Sequence, residues 1–142
     1  MGEKVLLIDD EKDFIETLAE RMKNRGMKVS TSTSPIEALK KVENEDFDAV
    51  VLDLMMPEMD GIKALTAIRE KNPQMQVILL TGHATIEKGI EAMKLGAADF
   101  LEKPIDIAKL SEKIKTAQAK KMILVEKGAE EKIKNILGGK GW

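Results

Sequence analysis

The chain has 142 residues and a mass of 15.7 kDa, which suits one domain with its own hydrophobic core. Apolar residues make up 43% of it and charged residues 34%, as in globular proteins, and the formal net charge of −2 argues against a general nucleic-acid coat. The absence of cysteine excludes disulfides and thiol catalysis, and the single histidine excludes a multi-histidine metal site.

Five short apolar runs alternate with longer amphipathic segments along the chain. The runs predict strands at Lys4–Ile8, Lys28–Ser32, Ala49–Asp53, 76–81 and Asp99–Glu102. Several of these runs are almost continuously apolar, which is typical of strands buried on both faces in a parallel sheet. Five strand–helix repeats of about 20–25 residues predict an α/β fold with a doubly wound parallel sheet.

The segments between the strands carry helix signals. The first helix is expected to end at Gly26, and Ser34 is expected to cap a second helix that has Pro35 at its first position. A third helix is expected to begin near Asp60, and a fourth to end at Gly96. A fifth helical pattern begins at residue 107.

Polar side chains follow the predicted strands at the points where the strands end. Asp9 and Asp10 follow the first strand, Asp53 ends the third, Thr81 ends the fourth and Lys103 follows the fifth. Taken alone, Asp10 could be a helix N-cap and Asp53 a turn residue. Taken together, they converge on one edge, since the carboxyl ends of parallel strands meet at the same side of an open sheet.

A cluster of carboxylates with one lysine predicts a divalent cation. Two carboxylates about 5 Å apart repel by roughly 3 kcal/mol at an effective dielectric constant of 20, and one ammonium leaves a charge deficit. Mg²⁺ would close it, because it accepts a few carboxylates and retains water ligands. We therefore expect Asp9 and Asp10 to hold Mg²⁺ beside Asp53.

The same groups are suited to phosphoryl transfer, which needs in-line positioning and charge neutralisation. Carboxylates are ordinarily ionised near neutral pH, so Asp53 would need no base to attack phosphorus. Lys103 would pair with one phosphoryl oxygen and Thr81 would donate a hydrogen bond to another. Backbone N–H groups at Gly82 and around Met55 would complete the anion site.

Two other protein classes with related features fit less well. A dehalogenase-like phosphatase would need a second aspartate two residues after the nucleophile, where this chain has Met55. A flavodoxin-like flavin carrier would need a hydroxyl- and glycine-rich phosphate loop after the first strand, where this chain has three consecutive acidic residues at 9–11.

Four motifs carry a family resemblance: VLLIDDE at 5–11, VLDLMMPEMDG at 51–61, LTGHA at 80–84 and GAADFLEKP at 96–104. In this order and spacing they resemble the receiver domain of bacterial two-component response regulators, over about residues 3–120. The receivers of nitrogen and dicarboxylate-transport regulators are the most similar group. The resemblance implies a flavodoxin-like receiver fold, with a five-stranded parallel sheet of strand order 2-1-3-4-5.

The resemblance also implies roles for individual residues. Asp53 would be the phosphoacceptor, with Mg²⁺ held by Asp9, Asp10, Asp53 itself and the backbone carbonyl of Met55. The phosphoryl group would come from the phosphohistidine of a sensor histidine kinase or of a phosphotransfer protein. The protein would then be a signalling phosphoacceptor that catalyses only its own phosphorylation and dephosphorylation.

A conformational switch is implied as well. Thr81 and Lys103 match the phosphate-contacting switch residues of the family, and Phe100 stands where the family has a rotating Tyr or Phe. The peptide bond between Lys103 and Pro104 is often cis in that family. A receiver that binds partners without phosphorylation is an alternative, but such receivers normally lack one of the acidic or lysine residues found here.

His83, two residues after Thr81, suggests two interpretations. It is either an exposed loop residue or a side chain that screens or orients the water attacking the aspartyl phosphate.

The C-terminal part differs in charge and in pattern. The net charge is −6 up to residue 104 and +4 from residue 105, and we expect a receiver domain over 1–121 followed by a helical tail over 122–142. Two apolar groups lie in the tail, at 122–125 and at 133–137. The tail would fold back onto its own domain, remain disordered, or extend the fifth helix and form a homodimer; we predict the homodimer, with a folded monomer left on truncation after residue 120.

We expect no direct nucleic-acid binding by this chain, whose output would be protein binding unless it is a piece of a longer transcriptional regulator. No apolar run reaches the ~20 residues of a membrane helix, and the N-terminus lacks a signal-peptide pattern. We therefore expect a cytoplasmic protein with no membrane partner.

Overall fold

A computed structural model describes residues 2–56, 59–82 and 86–138, with only the backbone described at Met55 and Met59. The strands are β1 Lys4–Ile8, β2 Lys28–Ser32, β3 Ala49–Asp53, β4 Met55–Met56, β5 Met59–Asp60, β6 Val77–Thr81 and β7 Asp99–Glu102. The helices are α1 Lys12–Asn24, α2 Pro35–Asn44, α3 Gly61–Lys71, α4 Ile86–Lys94 and α5 Ile107–Gly138.

Five strands form one parallel sheet in the order β2-β1-β3-β6-β7. Counted within this sheet, the order is 2-1-3-4-5, so the predicted fold is confirmed. The two remaining strands, β4 and β5, form a small antiparallel pair after β3 that the apolar pattern did not predict.

The hydrophobic core lies on both faces of the sheet, as continuous apolar strands require. On one face, Val50 and Leu52 of β3 belong to a buried cluster with apolar side chains of α2, α3 and α4. On the other face, Val51 of the same strand belongs to a cluster with apolar side chains of α1 and α5. Every residue of β3 and β6 is buried, so the centre of the sheet is a rigid support for the residues that follow these strands.

The helix ends agree with the sequence signals. Ser34 accepts a hydrogen bond from the backbone N–H of Glu37 at 3.5 Å, and the Asp60 carboxylate accepts one from Ile62 N–H at 2.8 Å. Gly26 and Gly96 follow α1 and α4 with φ of 89° and 102°, a region that residues with a side chain rarely adopt.

Helix α5 is a single continuous helix of 32 residues. The side chains of Leu110, Ile114 and Ala117 are buried against the domain, and Lys121 is the last buried residue. From residue 122 to residue 137, every residue is exposed except the partly buried Leu124 and Gly128. The tail therefore extends the fifth helix, and the alternative in which it folds back over its own core is wrong.

One ammonium group attaches this helix to the rest of the domain. The side chain of Lys121 is 9% exposed; its Nζ donates to the backbone carbonyl of Phe47 at 2.6 Å and to the carboxylate of Asp46. Within the described residues, no helix is both long and apolar enough to cross a membrane.

Candidate functional site

The sheet register brings the predicted residues to one edge. Asp53 ends β3 and is paired with Leu80 of β6, and Thr81 ends β6 and is paired with Glu102 of β7. Asp9 directly follows β1, whose last residue pairs with the residue before Asp53. Asp9, Asp53, Thr81 and the residue after Glu102 therefore stand at the carboxyl edge of four adjacent strands.

Three carboxylates form the acidic cluster of this edge: Asp9, Asp10 and Asp53. One oxygen atom from each lies within 4.8 Å of the others. Asp9 and Asp53 are 2% and 3% exposed, whereas Asp10 is exposed to solvent. The acidic cluster thus has two buried members and one member that faces water.

Asp10 does not cap helix α1, so that simpler interpretation of the residue is wrong. The N-cap residue is Glu11, and it makes no side-chain capping hydrogen bond. The carboxylate of Asp9 instead accepts a hydrogen bond from the Glu11 backbone N–H at 3.0 Å. This bond fixes the direction of the Asp9 side chain at the start of α1.

Lys103 supplies the positive charge. Its Nζ lies 3.2 Å from Asp9 Oδ2, 3.7 Å from Asp53 Oδ2 and 3.9 Å from Glu11 Oε1. The same ammonium lies 4.3 Å from the centroid of the Phe14 ring, a cation–π distance. The sequence did not indicate this role for Phe14, because its spacing in α1 is that of an ordinary core residue.

The backbone around Lys103 holds it beside Thr81. The peptide bond between Lys103 and Pro104 is cis, as the resemblance implied. The backbone N–H of Lys103 donates to the carbonyl of Thr81 at 2.7 Å, so β7 stays in register with β6 up to the site.

Thr81 is fully buried, and its hydroxyl group points to the neighbouring strand. Its Oγ1 donates to the carbonyl of Leu101 in β7 at 3.4 Å. Phe100, the residue before that acceptor, is partly buried against the core on the α2–α4 face. Thr81 and Phe100, the two residues predicted to form the switch, are thus neighbours across β6 and β7.

A close contact fixes the turn after Asp53. A Cβ atom on Gly61 would lie 2.6 Å from Leu54 Cδ2 and 2.7 Å from Leu54 Cα, so only glycine fits there. The backbone N–H of Leu54 donates to the carbonyl of Leu80 at 3.1 Å. The backbone of Met55 follows directly in β4, which places it next to the acidic cluster in the chain; its predicted role as a metal ligand remains a prediction, as does the role of Gly82 after β6.

The acidic cluster fits the donor set of Mg²⁺, which prefers oxygen ligands and keeps several waters. Asp9 and Asp53 offer buried carboxylate oxygens, and the exposed Asp10 leaves one side open to water. Of the other predicted residues, His83 lies outside the part of the chain that the structure describes.

Comparison with known proteins gives the family. Residues 5–115 match the family model of the response regulator receiver domain. A putative NtrX-like response regulator of Rickettsia bellii is 38% identical over 108 residues, which cover 75% of this chain and 23% of that protein. The transcriptional regulatory protein ZraR of Klebsiella oxytoca is 37% identical over 111 residues, which cover 77% of this chain and 25% of that protein.

A solved structure supports the same conclusion. A response regulator receiver domain protein from Clostridium thermocellum superposes with a TM-score of 0.82 at 36% identity, covering 86% of this chain and 98% of that one. The chain therefore belongs to the response regulator receiver domain family, whose members are signalling phosphoacceptors of two-component systems. It spans about a quarter of the length of the two curated relatives.

Proposed function

We propose that this protein receives a phosphoryl group on Asp53 from the phosphohistidine of a histidine kinase or phosphotransfer protein. The Asp53 carboxylate attacks phosphorus, the O–P bond forms as the P–N bond to the donor histidine breaks, and that imidazole leaves with a proton. The observation that supports this most directly is the contact of one ammonium, Lys103 Nζ, with both buried carboxylates at 3.2 and 3.7 Å.

The residues of the site divide the work of this step. Asp9 and Asp10 would hold Mg²⁺ together with Asp53 and the Met55 carbonyl, and the bound ion would supply positive charge to the phosphoryl oxygens. Lys103, already beside Asp53, would pair with another of those oxygens. Because the side chains of Asp9 and Asp53 are almost fully buried, these charges act where water screens them little.

The Thr81 hydroxyl would report the modification to the rest of the domain. It now donates to the Leu101 carbonyl across a long distance of 3.4 Å, which makes it a weak bond. A phosphoryl oxygen on Asp53 would be a charged and therefore stronger acceptor. Rotation of the hydroxyl toward it changes the space beside Phe100, and the phosphorylated state would differ from the free state in the position of that ring.

The exposed part of α5 is the surface that we propose for self-association. Met122, Val125, Ile133 and Ile136 are 59, 45, 57 and 64% exposed, and Ala129 lies between them. Their spacing of three and four residues averages 3.5 over two heptads, the period of a coiled-coil seam. Burial of about half of each side chain would contribute several kcal/mol, so a weak dimer, assisted by other surfaces of the domain, is the expected state.

The output of the domain would be control of a partner protein or of this dimerisation, with no direct contact to nucleic acid by this chain. The reaction would take place in the cytoplasm, where a phosphohistidine donor is recharged from ATP. The protein would turn over no separate substrate and would catalyse only its own phosphorylation and dephosphorylation.

Thermal unfolding with beryllofluoride tests the proposed site. Beryllofluoride stands in for the phosphoryl group on Asp53. With Mg²⁺ present, we expect it to raise the melting temperature by several degrees, since a ligand at 100 times its Kd stabilises by about 2.7 kcal/mol. The Asp53→Asn variant should show no such rise; an equal rise in the variant would contradict the assignment.

A further inference from the structure

Helix α4 has a glycine at its centre, on the face that packs against the sheet. Gly89 is buried, together with Ala92 one turn further along the helix. Glycine in the middle of a helix is destabilising relative to alanine, because it loses more backbone freedom on folding. Neither a turn nor a positive φ requires glycine at this position, so its reason has to be sought in what packs against it.

The atoms nearest to this glycine belong to Thr81 and Phe100. A Cβ atom at position 89 would lie 3.3 Å from Thr81 Cγ2, 3.5 Å from Phe100 Cδ2 and 3.6 Å from Phe100 Cγ. The first distance is shorter than nearly all contacts that real Cβ atoms make, and the other two are ordinary van der Waals contacts. A side chain at position 89 would therefore press on both proposed switch residues at once.

We propose that Gly89 is a positioning residue for the switch: because it lacks a side chain, it leaves beneath α4 the space in which the Phe100 ring and the Thr81 methyl group lie. This inference rests on the function proposed above and deepens it. The rotation that turns the Thr81 hydroxyl toward Asp53 also moves its methyl group, so the room at Gly89 governs how Thr81 and Phe100 move together. A larger residue at position 89 shifts the Phe100 ring outward and changes its response to Asp53.

The effect of added volume has to be separated from the effect of a better helix former. Gly128 of α5 offers a matched control: it also lies inside a helix, and a Cβ there would meet only the end of the flexible Gln74 side chain, at 3.5 Å. Gly128→Ala therefore improves helix propensity without crowding Thr81 or Phe100, whereas Gly89→Ala does both.

Fluorine NMR of the full chain gives the direct readout. The sequence has three phenylalanines, so fluorophenylalanine labelling gives three resonances, and Phe100→Leu identifies the one from Phe100. Spectra of the wild type, Gly89→Ala and Gly128→Ala are recorded free and with Mg²⁺ and beryllofluoride. We expect Gly89→Ala to move the Phe100 resonance in the free protein and to change the ratio of its two positions by about fivefold, with Gly128→Ala matching the wild type.

A double-mutant cycle in melting temperature gives the second readout and does not depend on Asp53. Gly89→Ala should raise the melting temperature more in a Phe100→Leu background than in the wild type, because the smaller side chain relieves the contact. Equal gains in the two backgrounds, or a Phe100 resonance in Gly89→Ala identical to that in Gly128→Ala, would overturn the inference.

The two proposals fail in different ways. If beryllofluoride leaves the wild-type spectrum unchanged, the function proposed for Asp53 is wrong, while the cycle between positions 89 and 100 still decides the packing role of Gly89. If the wild type responds and Gly89→Ala responds identically, the function stands and the role of Gly89 is wrong.

Discussion

Two buried carboxylates, Asp9 and Asp53, contact the same ammonium group at the carboxyl edge of the sheet. Opposite charges 4 Å apart attract by about 4 kcal/mol at an effective dielectric constant of 20, and like charges repel by as much. Lys103 offsets part of this repulsion, but Asp10 and Glu11 add two further negative charges nearby. The site without metal is therefore a place where negative charge is in excess.

Removal of one carboxylate tests this excess. We expect Asp10→Asn to raise the melting temperature of the metal-free protein by about 2 °C, because a repulsive charge disappears while the exposed side chain loses no packing. The same substitution should weaken the stabilisation by Mg²⁺, measured by melting over a series of Mg²⁺ concentrations.

The control for this prediction is Asp13→Asn, which removes an exposed carboxylate from the first turn of α1 outside the acidic cluster. Its loss should lower the melting temperature slightly, since a negative charge near a helix N-terminus is favourable. An unchanged or lower melting temperature in metal-free Asp10→Asn would refute the repulsion argument.

At this scale the sequence predicted the residues that directly follow the strands and missed those that support them. Asp9, Asp53, Thr81 and Lys103 could be found because parallel strands bring their carboxyl ends together. The position of the Phe14 ring beside the Lys103 ammonium could not, because an aromatic residue at helical spacing looks the same whether it packs in the core or against a cation.

Among the elements, α5 combines two different parts in one helix. Up to Lys121 it packs on the domain, and beyond that residue it projects almost without contact. The Lys121 ammonium, bonded to the Phe47 carbonyl and the Asp46 carboxylate, fixes where the first part ends. We propose this residue as the boundary between the domain over 1–121 and the tail over 122–142.

Two truncations separate the anchor from the tail. A chain ending at residue 122 keeps Lys121 and should unfold at nearly the temperature of the full chain. A chain ending at residue 120 should still fold and accept phosphate, but melt a few degrees lower, because the Phe47 carbonyl loses its buried donor. Equal melting of both truncated chains would show that Lys121 anchors nothing, and loss of folding in the longer one would contradict the proposed boundary.

The apolar face of the tail is tested by one charge placed on it. We expect Ile136→Lys to shift the protein toward monomer, measured by size exclusion with light scattering, because a lysine in the seam would be desolvated without a partner. Asn135→Lys, an exposed neighbour that lies off the apolar face, adds the same charge and should leave the dimer intact. If both variants or neither changes the mass, the seam is not the interface.

The strands were predicted almost to the residue because burial on both faces leaves a continuous apolar run. The β4–β5 pair was missed, since two-residue strands have no period that a sequence could show. The continuity of α5 through Gly128 was one of three alternatives, because a glycine and an exposed apolar face are compatible with an end, a bend or an extension. Geometry decided among them, and no local signal in the sequence could.

In the whole molecule, the site and the tail lie on the same framework. The α1–α5 face of the sheet carries Phe14 and the buried part of α5, and the α2–α4 face carries Phe100 and Gly89. Asp53 ends the central strand between these faces, so a change in its charge acts on both layers. This arrangement is what a phosphoacceptor needs in order to control a distant surface.

The most direct test of the central claim is where a phosphoryl group becomes attached. The full chain is incubated with acetyl phosphate, with and without Mg²⁺, reduced with borohydride to trap acyl phosphates, and mapped by peptide mass spectrometry. The account predicts one Mg²⁺-dependent modification at Asp53 that is absent from Asp53→Asn. Modification that is independent of Mg²⁺, that lies at another residue, or that persists at full strength in Asp53→Asn would contradict it.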